Sequence, residues 1–484
     1  SLLSTSIVTF ECFSLSFDLN LTHFSMVLGL LIATSIIAVA AYFAYVTFTP
    51  SPKADFPRDG WFGSGTKRGD DTELRPFKVA VPQEVIEDLN KRLANSRISH
   101  EVLEDANTFE YGFNVNYLKE VLEHWQHKFD WRKQEEILNS WPQFTTEIEG
   151  VKVHYYHAKP DANKYKKVVP LLIVHGWPGN VFEFYKILPM LLDPVAHNVG
   201  SANDIAFEVI APSIPGYGFS EAPKKRGFSQ LAAARVFKKL MQRIGHKKYY
   251  LQGGDWGSIV TSQLARMYPE NVYGLHVNMA SSRPSTLKGF FYAVIGSLFP
   301  QYIFKHKNHH SYNVLHTLTK VFFPESGYFH IQATKPDTVG IGLNDSPMGL
   351  AAYVLEKFST WTNGDYRKLS DGGLTNKFTL DELLTIVTIY WTQGNIVASQ
   401  RFYKEAFGDA YNSAVSKQFI SVPTAHAQFP NELFDNTPAE LLALGVNLTT
   451  QNIMPDGGHF AAFEQPAYLA KDVFSFVSTI ESKC

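Results

Sequence analysis

Uninterrupted apolar runs, separated by stretches with helical spacing, occupy the middle of the chain. Residues 168–174 and 207–212 show little of the polar alternation of half-exposed strands, which is typical of strands buried on both faces of a sheet. Residues 248–252 form a third strand-like run, and residues 228–244 before it have helical spacing. Strands that alternate with helices in this way predict an α/β fold with a mostly parallel, doubly wound sheet.

Two further patterns precede these runs. Apolar residues at helical spacing predict an N-terminal helical extension between residues 82 and 140, after a linker rich in proline, glycine and charge. Residues 145–155 alternate between polar and apolar side chains, as a β-hairpin does.

The segment 26–49 contains no charged residue, and a bilayer span needs about 20 apolar residues. We therefore predict a single N-terminal transmembrane helix, with Met26 as the native start and residues 1–25 as a non-native upstream segment. Lys53 and Arg58 follow the span, and the usual excess of positive charge on the cytosolic side places the body of the chain in the cytosol.

The composition of the chain limits its possible partners. With 484 residues and 45% hydrophobic content, it can bury a large core. A formal net charge of −2 gives no electrostatic basis for a nucleic-acid partner. The two cysteines, Cys12 and Cys484, lie at opposite ends, which argues against a disulfide framework or a cysteine metal site.

Glycines surround a single carboxylate where the third apolar run ends. A nucleophile elbow is a tight strand-to-helix turn that requires small residues two positions before and after the nucleophile, and here Gly253 and Gly257 flank Asp255. Residues 258–268 have helical spacing and stop before Pro269. Taken alone, residues 253–257 leave a second interpretation open, a glycine turn with a capping aspartate.

An aspartate at this position, where serine is more usual, changes the chemistry. A carboxylate attacks a saturated carbon by displacement and forms an alkyl ester, which water must then cleave. The second step requires a general base and an oxyanion site aimed at the carboxyl carbon. Asp255 therefore predicts hydrolysis of an alkyl electrophile, of which epoxides and alkyl halides are the obvious members.

Three motifs follow the three apolar runs: His-Gly-Trp-Pro at 175–178, Pro-Gly-Tyr-Gly-Phe-Ser at 215–220 and Gly-Gly-Asp-Trp-Gly at 253–257. In this order they resemble the α/β-hydrolase epoxide hydrolases. With the uncharged segment and the helical extension, the chain resembles the microsomal epoxide hydrolase family. The block at 331–343, Ile-Gln-Ala-Thr-Lys-Pro-Asp-Thr-Val-Gly-Ile-Gly-Leu, is most similar to the insect juvenile hormone epoxide hydrolases of that family.

The resemblance implies an organisation for the whole chain. A transmembrane anchor at 26–49 and a linker with helical extension at 50–140 precede an α/β-hydrolase core in two parts, 141–283 and 421–484, which a helical lid at 284–420 interrupts. The catalytic domain would lie on the cytosolic face of the endoplasmic reticulum. Its substrates would be lipophilic epoxides, either juvenile hormone or xenobiotic compounds. No metal or organic cofactor is expected, because every chemical role has a side-chain candidate.

The base must follow the nucleophile, because the fold orders its triad nucleophile, acid, histidine. His459 has this order, on a glycine loop ahead of the last helix, and the family motif makes it the base. Its competitor His175 is expected instead to brace the oxyanion loop. Glu432, Asp435 and Asp456 are candidates for the acid that orients the base, and the family's Phe-Pro-x-Glu-Leu pattern selects Glu432.

The resemblance also supplies hydrogen-bond donors. Tyr328 and Tyr403 match the family's lid tyrosines, and a neutral tyrosine can donate to an alkoxide from an apolar pocket. The backbone N–H groups of Trp177 and Trp256 are predicted to form the oxyanion hole.

Two clusters in the lid have competing interpretations. Its first aromatic residues suggest an apolar pocket, although core packing explains them equally well: Phe290, Phe291, Tyr292, Phe299, Tyr302 and Phe304. The histidines at 306, 309 and 310 crowd together as in a metal site, but the lysines beside them favour a solvated loop.

These residues together predict an epoxide hydrolase in which Asp255 opens the ring and His459 activates water on the resulting ester. Haloalkane dehalogenases also carry an aspartate followed by tryptophan, but they resemble His-Gly-Asn-Pro where this chain has Trp177. A third hypothesis is a non-catalytic hydrolase-fold protein that binds a lipophilic hormone. It is disfavoured because candidates for nucleophile, base and acid are all present.

Overall fold

The computed structural model describes residues 56–200, 205–280, 286–433 and 437–483, and in addition Leu30, Thr34 and Ala41. Apart from these three residues, the predicted span at 26–49 lies outside the described part of the chain, as does the upstream segment. Among the residues that are described, no helix has both the length and the apolar character needed to cross a membrane.

The described residues contain one sheet of nine strands in the order β1-β2-β3-β5-β4-β6-β7-β8-β9. The strands are β1 Arg75–Phe77, β2 Gln143–Ile148, β3 Val151–Ala158, β4 Lys167–Val174, β5 Ile205–Pro212, β6 Tyr249–Gly253, β7 Val272–Val277, β8 Ile420–Gln428 and β9 Val446–Ile453. From β5 to β9 every neighbouring pair is parallel, and β1, β2 and β3 add an antiparallel edge. The mostly parallel α/β sheet predicted from the apolar runs is thus confirmed.

The antiparallel edge depends on a two-residue turn between β2 and β3. Glu149 and Gly150 both have positive φ angles, 54° and 76°, as the turns that match the twist of paired strands require. The Glu149 carboxylate accepts two hydrogen bonds of 2.7 Å from the Arg235 guanidinium. This buried ion pair ties the hairpin to the helix behind the sheet.

Helices flank the sheet and form most of the remaining structure. Those of eight or more residues are α1 Gln83–Ala94, α2 Val115–His127, α3 Trp131–Leu138, α4 Gln230–Ile244, α5 Asp255–Met267, α6 Leu287–Leu298, α7 Gly327–Thr334, α8 Pro336–Asp345, α9 Pro347–Thr360, α10 Leu380–Gln393, α11 Ile396–Gly408 and α12 Pro466–Glu481. The predicted N-terminal helices are α1 to α3, and α1 and α2 pack against α9 and α10.

Helices α6 to α11 form an insertion between β7 and β8. These two strands pair directly in the sheet, with Leu275 opposite Thr424, so the chain leaves the sheet and returns to it beside the same strand. The insertion is anchored by large buried side chains such as Phe358, Trp361 and Tyr390. Its residues can therefore approach the carboxyl edge of the sheet from outside.

The order of the central strands creates a crevice at that edge. The chain runs from β4 to β5 on one side and then crosses to β6 on the other, so β4 lies between them. Ligands of open α/β sheets bind where the strand order reverses, beyond the carboxyl ends of the strands. Val174 at the end of β4 is opposite Gly253 at the end of β6, which makes the loops after these two strands neighbours.

Candidate active site

The turn after β6 has the geometry of a nucleophile elbow. Asp255 is the first residue of α5 and has a φ of 48°, in the left-handed region that non-glycine residues rarely adopt. A Cβ atom on Gly257 would lie 1.8 Å from the Val174 carbonyl oxygen, and one on Gly253 would lie 2.4 Å from the Gly257 backbone. The prediction of small residues on both sides of Asp255 is confirmed, because the backbone packs too closely there for a side chain.

The loop after β4 supplies a donor to this carboxylate. The Trp177 N–H donates to Asp255 Oδ1 at 2.8 Å. Gly176 is needed for the approach, since a Cβ there would lie 2.3 Å from the same oxygen. The second predicted donor, Trp256, lies on the open first turn of α5, where its N–H forms no hydrogen bond within the described chain.

His459 reaches the carboxylate from the other side. Its Nε2 lies 3.4 Å from Asp255 Oδ2, and its Nδ1 is 2.7 Å from Glu432 Oε2. The His459 N–H donates to the Trp361 carbonyl at 3.0 Å, while a Cβ on Gly458 would lie 2.4 Å from the Thr362 oxygen. The glycine before His459 thus lets the loop press against the end of α9, which fixes the imidazole between two carboxylates.

These two carboxylates control the charge of the imidazole. Burial alone would lower the pKa of His459, but the charge of Glu432 and the hydrogen bonds to Asp255 and Glu432 raise it well above its ordinary value. In the free protein the structure therefore favours an imidazolium between two anions. Losing one of the negative charges would lower that pKa again.

The competing histidine is occupied elsewhere. His175 Nδ1 is 2.9 Å from the Gly176 carbonyl, and its Nε2 accepts from the Ile214 N–H at 3.1 Å. Burial lowers the pKa of His175 to about 4, so the ring is neutral. It bridges the loops after β4 and β5, which is the bracing position expected from the sequence.

The alternative acids do not meet the base in the part of the chain that is described. Asp456 pairs with the Lys377 ammonium and accepts from Gln465 Nε2 at 2.7 Å. Asp435 lies outside the described residues. Glu432 is the candidate that the structure places on His459, with its side chain fully buried.

The two tyrosines predicted as donors come together over the loop after β4. The Tyr328 ring stacks on Trp177 at 5.3 Å between centroids, and the Tyr403 ring makes edge contacts with Trp177 at 5.9 Å and Trp256 at 4.8 Å. Burial and the nearby Asp255 charge raise the pKa of both tyrosines well above their ordinary value. Both hydroxyls therefore keep their protons and can donate them.

Three polar residues that line the cavity were missed from the sequence: Glu183, Gln252 and Asn278. Glu183 lies on the short turn Val181–Phe184 after the Trp177 loop, and a Cβ on Gly179 would lie 1.2 Å from its Oε1. Burial and the Asp255 charge raise the pKa of Glu183 to about 8. An isolated glutamate within the aromatic run Val-Phe-Glu-Phe-Tyr is the sequence signal that could have identified it.

The two ambiguous clusters of the insertion resolve differently. Phe304 is buried, but Phe291, Phe299 and Tyr302 are exposed, so neither an apolar pocket nor core packing explains these three rings. His309 is also buried, with Nε2 2.9 Å from Gln428 Oε1, and does not belong to a solvated loop.

One group of possible metal ligands occurs among the described residues, and it lies elsewhere. His157, Glu208 and His246 bring their ligand atoms within 4.8 Å of one another. His157 Nε2 and Glu208 Oε1 are 2.6 Å apart, and the Lys159 ammonium lies 3.2 Å from the same oxygen. These are the contacts of an ion-paired cluster at the surface of β3 and β5.

Comparison with known proteins agrees with this geometry. The model of the epoxide hydrolase N terminus matches residues 74–184, and the model of the α/β-hydrolase fold matches residues 169–466. Epoxide hydrolase 1 of Sus scrofa is 48% identical over 434 residues, which are 88% of this chain and 93% of that protein. Juvenile hormone epoxide hydrolase 2 of Ctenocephalides felis is 45% identical over 88% of this chain and 90% of its own.

Solved structures show the same relationship. The juvenile hormone epoxide hydrolase from the silkworm Bombyx mori superimposes with a TM-score of 0.82 at 37% identity, over 88% of this chain and all of that one. Aspergillus niger epoxide hydrolase superimposes with a TM-score of 0.67 at 27% identity, over 88% of this chain and 99% of its own. The chain therefore belongs to the microsomal epoxide hydrolase family, within the α/β-hydrolase fold.

Proposed function

We propose that this chain hydrolyses lipophilic epoxides to vicinal diols through a covalent ester on Asp255. One observation carries the proposal: the Asp255 carboxylate lies on a strained elbow, with Oδ1 on the Trp177 N–H at 2.8 Å and Oδ2 3.4 Å from His459 Nε2. A carboxylate held between an oxyanion donor and a base is suited to be alkylated and then released.

In the first step a carboxylate oxygen of Asp255 attacks a ring carbon. The carbon–oxygen bond of the epoxide breaks, and its electron pair stays on oxygen. Tyr328 and Tyr403 are the proton donors of this step, because their rings meet beside Trp177 and their raised pKa values keep both hydroxyls protonated. Tyr403 is buried there and Tyr328 is partly buried. A tyrosine proton moves to the alkoxide, and a hydroxyalkyl ester of Asp255 remains.

Alkylation then changes the state of the base. The ester no longer carries the Asp255 charge, which is one of the causes of the raised pKa of His459. The pKa of His459 therefore falls when the ester forms, so the imidazole gives up its proton, which restores the tyrosine that protonated the alkoxide. The neutral imidazole can then accept a proton from water. The nucleophile thus prepares the general base for the second step.

In the second step water attacks the carboxyl carbon of the ester. Its proton passes to His459 Nε2, and negative charge develops on the carboxyl oxygen that already accepts from Trp177 N–H. The open N–H of Trp256, at the N-terminus of α5, is a second donor for that charge. Glu432 orients the imidazole through Nδ1. When the intermediate collapses, the ester carbon–oxygen bond breaks, and the departing oxygen takes a proton from His459, which the new carboxyl group of Asp255 replaces, so the diol leaves and the carboxylate is restored.

The substrate side of the proposal rests on the walls of the site. The insertion acts as a lid whose aromatic rings, including Tyr353 and Trp361, pack around Trp177. This lining favours a lipophilic epoxide, and the similar identities to a mammalian epoxide hydrolase and to juvenile hormone epoxide hydrolases leave xenobiotic and terpenoid epoxides as alternatives. The uncharged segment 26–49 supports anchoring in the endoplasmic reticulum membrane, with the described domain in the cytosol.

Turnover of two substrate classes tests the proposal. Purified protein should convert an epoxide to its diol and release no halide from a chloroalkane. Because no reacting role is left to a metal, dialysis against a chelator should leave the rate unchanged. Tight binding of a lipophilic epoxide without diol formation would contradict the proposal.

A further inference from the structure

The first part of the insertion exposes an unusual amount of apolar surface. Within the described residues, nine of the 21 exposed large apolar side chains fall between positions 291 and 323. They are Phe291, Val294, Leu298, Phe299, Tyr302, Leu315, Leu318, Phe322 and Phe323, which we call the insertion patch. Monomeric soluble proteins rarely expose such a concentration, which is typical of a protein or membrane contact.

The orientation of α6 accounts for three of the nine residues of this patch. Phe291, Val294 and Leu298 follow the three-and-four spacing of one helix face. The opposite face holds the helix on the protein, because Ala293 is buried and a Cβ on Gly296 would lie 2.4 Å from the Phe304 ring. The helix is therefore fixed with an apolar stripe directed outward.

The patch also has a charge of one sign. Between residues 286 and 323 the sequence contains four lysines and neither aspartate nor glutamate, although the whole chain has a net charge of −2. The four lysines, Lys288, Lys305, Lys307 and Lys320, are exposed. Two acidic groups lie at its border. Glu440 Oε1 accepts from the Lys305 backbone N–H at 3.0 Å, and Glu325 pairs with the Arg367 guanidinium at 2.6 Å.

We propose that the insertion patch docks on the surface of an anionic lipid bilayer. Exposed aromatic and aliphatic side chains flanked by lysines are typical of segments that lie in the headgroup region, where the lysines reach lipid phosphates. A second copy of the chain is disfavoured as the occupant, because two such faces would bring like charges together. The inference rests on the proposed function, and it adds that the epoxide reaches the site from the bilayer.

The patch is connected to the proposed proton donors by aromatic contacts. The Phe322 ring lies 6.3 Å from Phe329, which in turn lies 5.8 Å from Tyr403. Tyr328 is the second residue of α7, only five residues after Phe323. An epoxide dissolved in the bilayer would thus meet apolar side chains along its path to the site.

A depth-sensitive probe tests the contact in the full chain. With Cys12 and Cys484 changed to serine, an environment-sensitive fluorophore is attached to Phe323→Cys or, as the control, to Tyr111→Cys on the N-terminal extension. Both side chains are 81% exposed, so they differ in position and not in accessibility. The protein is reconstituted into phosphatidylcholine vesicles that contain phosphatidylserine and a nitroxide-labelled lipid.

We expect the probe at 323 to be quenched and blue-shifted and the probe at 111 to remain as in water. Equal behaviour of the two probes would overturn the proposal, since an anchor at 26–49 brings both near the membrane. A blue shift at 323 that appears without vesicles and grows with protein concentration would also overturn it, in favour of an interface between copies.

The kinetic consequence separates this inference from the proposed function. The variant Leu298→Glu/Phe323→Glu should raise KM severalfold for an epoxide dissolved in the vesicles, with kcat unchanged. Its kcat/KM for a small water-soluble epoxide should equal that of the wild type. An equal loss for both substrates would contradict the entry route, whereas a wild type inactive on every epoxide would instead contradict the proposed function.

Discussion

At the scale of single residues, the charge of one carboxylate links the two halves of the reaction. Asp255 and Glu432 together raise the pKa of His459, and in the proposed mechanism only Asp255 loses its charge. The glycine elbow predicted Asp255, the order of the triad and a glycine loop predicted His459, and the family pattern selected Glu432 from three candidate acids. Glu183 was missed because the isolated glutamate in an aromatic run does not show that its carboxyl enters the cavity, and the space that Gly179 leaves for it is visible only in the structure.

The orienting acid gives a direct test at this scale. Glu432→Gln removes the negative charge of the carboxylate that faces His459 Nδ1. General acid–base catalysis typically contributes about 10²–10⁴-fold to the rate. We expect steady-state turnover to fall within that range, with the alkylation rate in a single turnover much less affected. Asp456→Asn is the matched control, because its ion pair is with Lys377, and it should retain near-normal activity. A larger loss of turnover in Asp456→Asn than in Glu432→Gln would show that Glu432 is not the orienting acid.

The ring-opening step tests the roles of Tyr328 and Tyr403. Tyr328→Phe combined with Tyr403→Phe removes both donors to the alkoxide while keeping the stacked rings, so ring opening should slow by orders of magnitude in a single turnover. Tyr353→Phe is the control, since the Tyr353 ring also contacts Trp177 but its hydroxyl faces Gln332. Ring opening at the wild-type rate in the double variant would remove the tyrosines from the mechanism.

At the scale of elements, the site is a consequence of how β4, β6 and α5 meet. The apolar runs predicted these strands because buried parallel strands need no polar alternation. The outward face of α6 could not be predicted in the same way. An amphipathic stripe directed toward a core and one directed away from it have the same spacing, and only the contact of Gly296 with Phe304 decides the direction.

The close packing at the elbow should make a larger side chain at Gly257 destabilising. In Gly257→Ala the new methyl group would lie 1.8 Å from the Val174 oxygen, so strand and helix must separate. Overpacking of this kind costs roughly 1–3 kcal/mol or more. We expect a clearly lower Tm and loss of activity, measured against Gly69→Ala, where a Cβ meets nothing within 4 Å. A Gly257→Ala protein as stable and active as this control would contradict the close packing.

At the scale of the whole molecule, buried carboxyls link stability to pH. Burial raises the pKa of Glu464 to about 8, from an ordinary value of 4.5. Between these values the unfolded chain has lost the proton that the folded chain keeps, so this group's contribution to stability falls as the pH rises toward 8 and then levels off.

Glu464→Gln removes this titration while keeping an oxygen for the Phe460 N–H. The free energy of unfolding of the variant, relative to the wild type, should therefore increase from pH 5 to pH 8. The increase is a few kcal/mol at most, at about 1.4 kcal/mol per pKa unit. Chemical denaturation of both proteins across this range measures it, and a pH-independent difference would show that Glu464 is ionised in the folded state.

The proposed mechanism depends on the covalent ester, which mass spectrometry can detect directly. In His459→Gln the ester should form and not be hydrolysed. After incubation with a lipophilic epoxide, the peptide that contains Asp255 should gain the mass of one substrate molecule. The same variant with Asp255→Asn should gain nothing. A His459→Gln protein that still opens the epoxide but carries no adduct on this peptide would contradict the two-step mechanism.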